Sequence, residues 1–232
     1  KVVPEEHLSY VLEAIRLTKS ELNGRVPLIG FAGAPWTILS YMIEGSGSKT
    51  FSAARKFLET EPILAHRLLK LVADSTADYL NAQIDAGADM VQLFDSWAGV
   101  LSPKRYSEFG IPYIREICNK IDRVPVTVFA KGAYYALSEL GELNCNTIGL
   151  DWQMNVEEAK ELCSTKTLQG NLDPAVLYAD PKTIVAETRE MLSKFGVRPH
   201  IANLGHGVYP DTNPNHVKVF IETVKEFKHN PL

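Results

Sequence analysis

Short apolar segments alternate with longer segments of helical period along almost the whole chain, and this alternation limits the possible folds more than any other feature. Each apolar segment is too short for a helix and is bounded by Gly, Pro or Asp. The predicted strands cover residues 26–32, 90–95, 124–130, 147–150, 167–170 and 200–204. Strand, helix and strand in this rhythm predict parallel β-strands joined by crossover helices.

The helical segments fill the intervals between these strands. An amphipathic helix comes first, with Leu8, Leu12 and Ile15 on its apolar face. Residues 51–86 predict about two helices, broken near Pro62. Further helices are predicted over residues 107–121, 134–143, 156–163, 181–195 and 214–228.

The number of strand–helix units defines the expected fold. Six units are predicted, with no repeat, low-complexity tract or linker between them. A closed (β/α)8 barrel has eight units and commonly forms one domain at about this length. We therefore predict an α/β fold, a (β/α)8 TIM barrel that is incomplete here with about six units, forming a single domain over residues 1–232 that lacks its N-terminal units.

Composition excludes several kinds of protein. With 45% apolar and 22% charged residues the chain is typical of a soluble globular protein, and no run approaches the roughly 20 apolar residues that span a membrane. The net charge of -4 argues against non-specific nucleic-acid binding, so neither a membrane nor nucleic acid is predicted as a partner. Cys118, Cys145 and Cys163 lack zinc-site spacing, which predicts thiols in a reducing compartment.

A histidine between two glycines follows the last predicted strand. Glycine brings no side chain to bury and permits tight turns, so we expect the segment Gly205, His206 and Gly207 to present the imidazole on a loop instead of in the core. In a (β/α) barrel the catalytic and binding residues lie on loops that follow the strands. His206 is therefore a candidate ligand-facing residue.

The other strand ends carry aromatic, small and hydrogen-bonding residues with few charges, which favours a flat, largely apolar ligand with polar edges. Tyr41 has two open interpretations, a half-buried structural tyrosine or a catalytic hydroxyl. Ser96 has two as well, because both Asp95 and Ser96 are residue types that cap helices.

Three further polar residues at strand ends have simple structural interpretations. Lys131 is expected to be a solvated lysine, with Schiff-base chemistry as the alternative. Asp151 and Asp173 are expected to be turn or cap residues. The glycines of residues 30–35 lack the dinucleotide-binding spacing, and no H-E-x-x-H, C-x-x-C or phosphate-loop motif is present, so no motif supports a zinc enzyme or a nucleotide enzyme.

Five segments together resemble the uroporphyrinogen decarboxylase family in order and separation. They are GFAGAPWT at 30–37, LFDSWAG at 93–99, GLDW at 149–152, QGNLDP at 169–174 and NLGHG at 203–207. The resemblance implies a (β/α)8 barrel that works as a cytoplasmic homodimer without metal or organic cofactor. The implied reaction removes CO2 from the four acetate side chains of uroporphyrinogen to give coproporphyrinogen, in haem and chlorophyll synthesis.

The resemblance also implies site residues. It makes Tyr41, Ser96 and His206 catalytic and substrate-binding residues, and Phe94 a substrate-binding residue of the apolar wall. Phenol, hydroxyl and imidazole groups can orient carboxylates and move protons. The family's arginine-bearing segment after its first strand, and its aspartate that contacts the pyrrole N–H groups, have no counterpart in these 232 residues.

Two other functions are kept as alternatives. Corrinoid-dependent methyltransferases share this barrel, but they carry a zinc site with a His-x-Cys pair, and no Cys here has a His two positions before it. A tetrapyrrole-binding protein without catalysis would keep the aromatic lining, and it is the alternative from a different functional class.

Overall fold

The structure is a computed structural model that describes residues 3–228. The chain divides into two compact units, the first ending at Asn146 and the second starting at Thr147, and each has its own strands and helices. Six strands with flanking helices are present, which confirms the predicted α/β class with about six strand–helix units. The single barrel domain over residues 1–232 stays a prediction.

Three parallel strands form the sheet of the first unit. They are β1 (Ile29–Gly33), β2 (Met90–Asp95) and β3 (Val126–Ala130). Ile29 pairs with Met90 and Val91 with Val126, so β2 is the central strand. The predicted bounds of β2 are confirmed, whereas β1 and β3 begin later than predicted. Pro27 and Pro125 explain the shift, because proline has no N–H to donate to a strand ladder.

Helices flank this sheet in the order expected for crossover connections. They are α1 (Pro4–His7), α2 (Ser9–Leu22), α3 (Pro35–Glu44), α4 (Ser52–Thr60), α5 (Pro62–Asp85), α6 (Pro103–Phe109), α7 (Ile111–Cys118) and α8 (Leu137–Gly141). The predicted break at Pro62 separates α4 from α5. On α5 the buried face includes Ala65, Leu69 and Val72.

One helix prediction is wrong. Residues 107–121 do not form a single helix, because α6 ends before Gly110 and α7 begins at Ile111. Pro112 accounts for the break, since its ring has no N–H and clashes with the carbonyl four residues earlier in a continuous helix. At Gly110 a Cβ would also lie 3.0 Å from the Tyr106 carbonyl oxygen and closer still to its ring.

The second unit repeats the pattern. Its strands are β4 (Thr147–Gly149), β5 (Thr167–Leu172) and β6 (His200–Leu204), and its helices are α9 (Val156–Leu162), α10 (Pro181–Phe195) and α11 (Pro214–Glu226). β5 is parallel to both β4 and β6. Side-chain oxygens of Asn155, Asp180 and Asn213 accept hydrogen bonds from the first turns of the three helices, as their cap positions predict.

All three cysteines are buried free thiols. Cys118 and Cys145 belong to the first unit and Cys163 to the second. Burial raises the pKa of the Cys163 thiol. Within residues 3–228 no helix is long and apolar enough to cross a membrane.

Candidate functional site

Tyr41 lies near the end of α3 with its ring packed and its hydroxyl unused. The helix starts at Pro35, whose fixed φ suits a first turn, and stops at Gly45, which has a left-handed φ of 75°. Edge-on contacts join the Tyr41 ring to Phe51, at 5.6 Å between centroids, and to Trp97, at 6.3 Å. The residue is 42% exposed, and no described residue hydrogen-bonds to its hydroxyl. A ligand can therefore use this hydroxyl.

Ser96 directly follows β2 and is half-buried. Its hydroxyl makes no hydrogen bond within residues 3–228. The short 3-10 helix that follows, Ala98–Val100, has no side-chain cap. Ser96 thus does not cap this helix, although its residue type could do so. Its hydroxyl is a second polar group, after that of Tyr41, with no hydrogen-bond partner among the described residues.

Phe94 is the middle member of a row of three phenylalanines across the sheet of the first unit. Its ring contacts Phe31 at 5.9 Å and Phe129 at 6.0 Å between centroids, both in edge-on geometry. Phe129 is buried and Phe94 half-buried, while Phe31 is 61% exposed. The row forms a continuous apolar surface on adjacent strands, which suits the flat, apolar ligand predicted from the sequence.

Trp97 joins this region to the end of β3. Its ring lies 4.6 Å from that of Phe51. The ammonium nitrogen of Lys131 lies 6.0 Å from the Trp97 ring centroid, within the range of a cation–π contact. Lys131 was expected to be solvated and is half-buried, and Schiff-base chemistry stays the untested alternative.

A fully buried carboxylate lies at the end of β2. Thr37 donates a hydrogen bond of 2.6 Å to Asp95 Oδ1, and Tyr106 donates one of 3.0 Å to Oδ2. Burial raises the pKa of the Asp95 carboxyl from 3.8 to about 6, and the two hydroxyl donors oppose that rise. Burial and the neighbouring carboxylate also raise the pKa of the Tyr106 phenol.

This network was not predicted from the sequence, where Asp95 was interpreted only as a cap-forming residue type. The available signal was a carboxylate that ends an otherwise apolar strand, since buried carboxylates need hydrogen-bonding partners.

His206 belongs to the second unit and is exposed on the loop after β6, as predicted. Its ring stands edge-on to Trp152 at 6.1 Å between centroids. Gly205 is buried beside the backbone that follows β4, where a Cβ would lie 2.9 Å from both the Asp151 carbonyl carbon and Trp152 Cα. The glycine is therefore required for the close approach that precedes the histidine.

Asp151 and Asp173, two aspartates of the second unit, have the structural roles expected of them. The amide of Gln153 donates to Asp151 Oδ1 at 2.8 Å, which closes a turn. Asp173 accepts from the Ala175 amide at 2.8 Å and caps the short 3-10 helix that follows.

The predicted site residues divide between the two units. Tyr41, Phe94 and Ser96 lie in the first unit, at or after the carboxyl ends of β1 and β2, and Tyr41 is joined to Trp97 beside Ser96. His206 lies at the corresponding end of β6 in the second unit. No cluster of three or more His, Cys, Asp or Glu side chains within residues 3–228 could hold a metal ion. The available groups are hydroxyls and an imidazole beside aromatic surfaces.

Similarity to a solved structure defines the class of fold. The B12-independent methionine synthase from Shewanella sp. W3-18-1, solved in complex with selenomethionine, matches 93% of this chain and 66% of its own chain. The TM-score is 0.67 and the sequence identity 14%. The match supports the strand–helix fold alone.

Sequence similarity defines the family. The family model described as "Uroporphyrinogen decarboxylase (URO-D)" matches residues 1–227, and the chain belongs to this family. It is 46% identical to the uroporphyrinogen decarboxylases of Schizosaccharomyces pombe, over 95% of this chain and 65% of that protein, and of Ovis aries, over 97% and 64%. The protein of the same name from Christiangramia forsetii is 46% identical over 98% of this chain and 68% of its own length.

The chain therefore spans about two-thirds of the length of these relatives. The resemblance seen in the five sequence segments is confirmed.

Proposed function

We propose that the protein is a uroporphyrinogen decarboxylase, which removes the four acetate carboxyl groups of uroporphyrinogen III to give coproporphyrinogen III. Family membership supports the reaction class. The observation in this chain that best supports the proposal is the presence of two hydroxyls that are available to a ligand. Those of Tyr41 and Ser96 have no hydrogen-bond partner among the described residues, whereas the nearby hydroxyls of Thr37 and Tyr106 are both engaged.

The chemistry requires carboxylate binding next to an apolar surface. In each step a proton first adds to a pyrrole ring carbon, the bond between the acetate methylene and its carboxyl carbon breaks, CO2 leaves, and the electron pair passes into the protonated ring. A proton then adds to the methylene carbon to give a methyl group, and the ring releases the proton that activated it. We propose that Tyr41, Ser96 and His206 orient substrate carboxylates or transfer protons, and that Phe94 contacts the macrocycle.

The test is anaerobic incubation with uroporphyrinogen III, followed by oxidation and chromatography of the products. It uses the protein expressed from its complete coding sequence, with the 232-residue chain assayed in parallel. The expected result is sequential loss of carboxyl groups down to coproporphyrinogen. If the complete protein binds the substrate but leaves it unchanged, the decarboxylase function is rejected in favour of tetrapyrrole binding. If it does not bind the substrate, both functions are rejected.

The finer features implied by the family remain part of this proposal. We propose a homodimer, a single (β/α) barrel domain, a cytoplasmic location and catalysis without a metal or organic cofactor. Sedimentation equilibrium of the complete protein tests the dimer. Activity retained after exhaustive dialysis against a chelator supports cofactor-free catalysis, and activity restored only by added metal contradicts it.

A further inference from the structure

The buried carboxylate of Asp95 connects three elements of the first unit. Asp95 ends β2, and its two oxygens accept hydrogen bonds from Thr37 on α3 and Tyr106 on α6. All three residues are buried, and Asp95 and Tyr106 have no exposed surface. A buried carboxylate is costly unless such bonds compensate it, and apolar residues of similar size would often give equal or greater stability.

Thr37 extends this connection to the loop that carries Ser96. The Thr37 hydroxyl, which donates to Asp95, also accepts a hydrogen bond of 3.3 Å from the Trp97 amide. The indole N–H of Trp36 donates to the Trp97 carbonyl oxygen at 3.0 Å. Both polar backbone groups of Trp97 are therefore held by the first turn of α3, the helix that carries Tyr41.

Asp95 gives the Thr37 hydroxyl a fixed direction. A hydroxyl has one proton and two lone pairs, so Thr37 accepts from the Trp97 amide while its proton points away from that amide. Asp95 Oδ1 accepts that proton at 2.6 Å. The carboxylate therefore orients the Thr37 hydroxyl so that a lone pair faces the loop.

We propose that Asp95 is a positioning residue that acts through Thr37 to hold the Ser96–Trp97 segment in register with α3. Ser96 lies between two fixed residues, and Tyr41 is carried by the helix that fixes them. This inference rests on the proposed function, since its catalytic consequence is the placement of the Ser96 and Tyr41 hydroxyls at the substrate.

The decisive comparison uses two substitutions of Thr37. Thr37→Ser keeps the hydroxyl and both hydrogen bonds, whereas Thr37→Val keeps the β-branched shape and loses both. We expect Thr37→Val to lower kcat about tenfold with KM within about twofold of the wild type, because an oriented hydroxyl acts mainly in the transition state. We expect Thr37→Ser to retain wild-type kcat.

A structural readout accompanies the kinetics. Hydrogen exchange at the Trp97 amide, resolved by mass spectrometry or NMR, is expected to accelerate in Thr37→Val and to stay unchanged in Thr37→Ser. If Thr37→Val does not fold, Tyr106→Phe removes only the bond to Asp95 Oδ2 and is expected to give a smaller loss of kcat in the same direction. Wild-type kcat and exchange in the variant that folds would overturn the inference.

The design separates this inference from the proposed function. If the complete wild-type protein binds no uroporphyrinogen or leaves it unchanged, the decarboxylase function fails. Hydrogen exchange then decides the positioning role alone, because faster exchange in Thr37→Val supports it and unchanged exchange rejects it.

Discussion

The first residues of the loops after β2 and β6 are fixed in different ways. After β2, side chains hold the loop, since Thr37 joins the buried Asp95 carboxylate to the Trp97 amide. After β6, backbone groups hold it, because the Gly205 amide donates to the Leu172 carbonyl oxygen at 2.7 Å and leaves no room for a Cβ. The first arrangement depends on hydrogen bonds to one buried titratable group, and the second depends on shape.

The largest expected effect comes from adding one methyl group to the loop after β6. Gly205→Ala places a Cβ against the backbone of residues 151 and 152. We expect a loss of about 3 kcal/mol or more in the free energy of unfolding, at or above the upper end of the usual range for overpacked sites. Urea unfolding measures the change.

Gly207 provides the matched control, because a Cβ there meets no atom within 4 Å. Gly207→Ala should change stability by less than about 1 kcal/mol. Equal effects of the two alanines would show that close approach does not fix this loop.

The next effect tests the cost of ionising the buried carboxyl group behind the loop after β2. The Asp95 pKa rises from 3.8 in its ordinary state to about 6 on burial, so the folded state holds the proton more tightly than the unfolded chain. The resulting stability is complete below about pH 4 and is lost as the pH rises through 6. Asp95→Asn cannot ionise.

Between about pH 4 and about pH 7 the wild type should therefore lose up to about 3 kcal/mol of unfolding free energy relative to Asp95→Asn. Denaturant titrations at both pH values measure it. A difference that does not change with pH would contradict the buried ionisation.

A smaller effect is expected from the histidine after β6. Because backbone groups fix this loop, His206→Asn should leave the melting temperature unchanged and lower kcat about tenfold, or about 1.4 kcal/mol. Steady-state kinetics with uroporphyrinogen and a thermal melt measure the two quantities. Unchanged kinetics would remove His206 from the proposed catalytic set.

The smallest effect concerns one hydroxyl in the first unit. Tyr41→Phe keeps the contacts with Phe51 and Trp97 and removes only the unused hydroxyl. We expect kcat/KM to fall about fivefold, equivalent to about 1 kcal/mol for one hydrogen bond, with no change in stability. A lower melting temperature with unchanged kinetics would return Tyr41 to a purely structural role.

Local pattern predicted the strands better than it predicted the polar contacts. The bounds of β2 and β6 follow from the sequence because apolar runs end at Asp95 and before Gly205, where the chain turns. The exposed position of His206 was predictable for the same reason, since its glycine neighbours act locally.

The roles of Asp95 and Gly205 were not predictable in this way. Whether a carboxylate at a strand end is buried depends on Thr37, 58 residues away in the chain, and the tight packing of Gly205 depends on Trp152. The break between α6 and α7 had a local signal in Pro112. The helix prediction followed the continuous amphipathic pattern of apolar residues around Pro112 instead.

The buried cysteines allow local opening to be measured separately in each of the two units. A thiol reagent cannot reach a buried sulfur, so labelling reports only molecules that have transiently opened. The labelling rate of Cys118 or Cys145 reports opening of the first unit, and the labelling rate of Cys163 reports opening of the second. Mass spectrometry of the labelled peptides would thus rank the local stabilities of both units in one experiment, without any introduced probe.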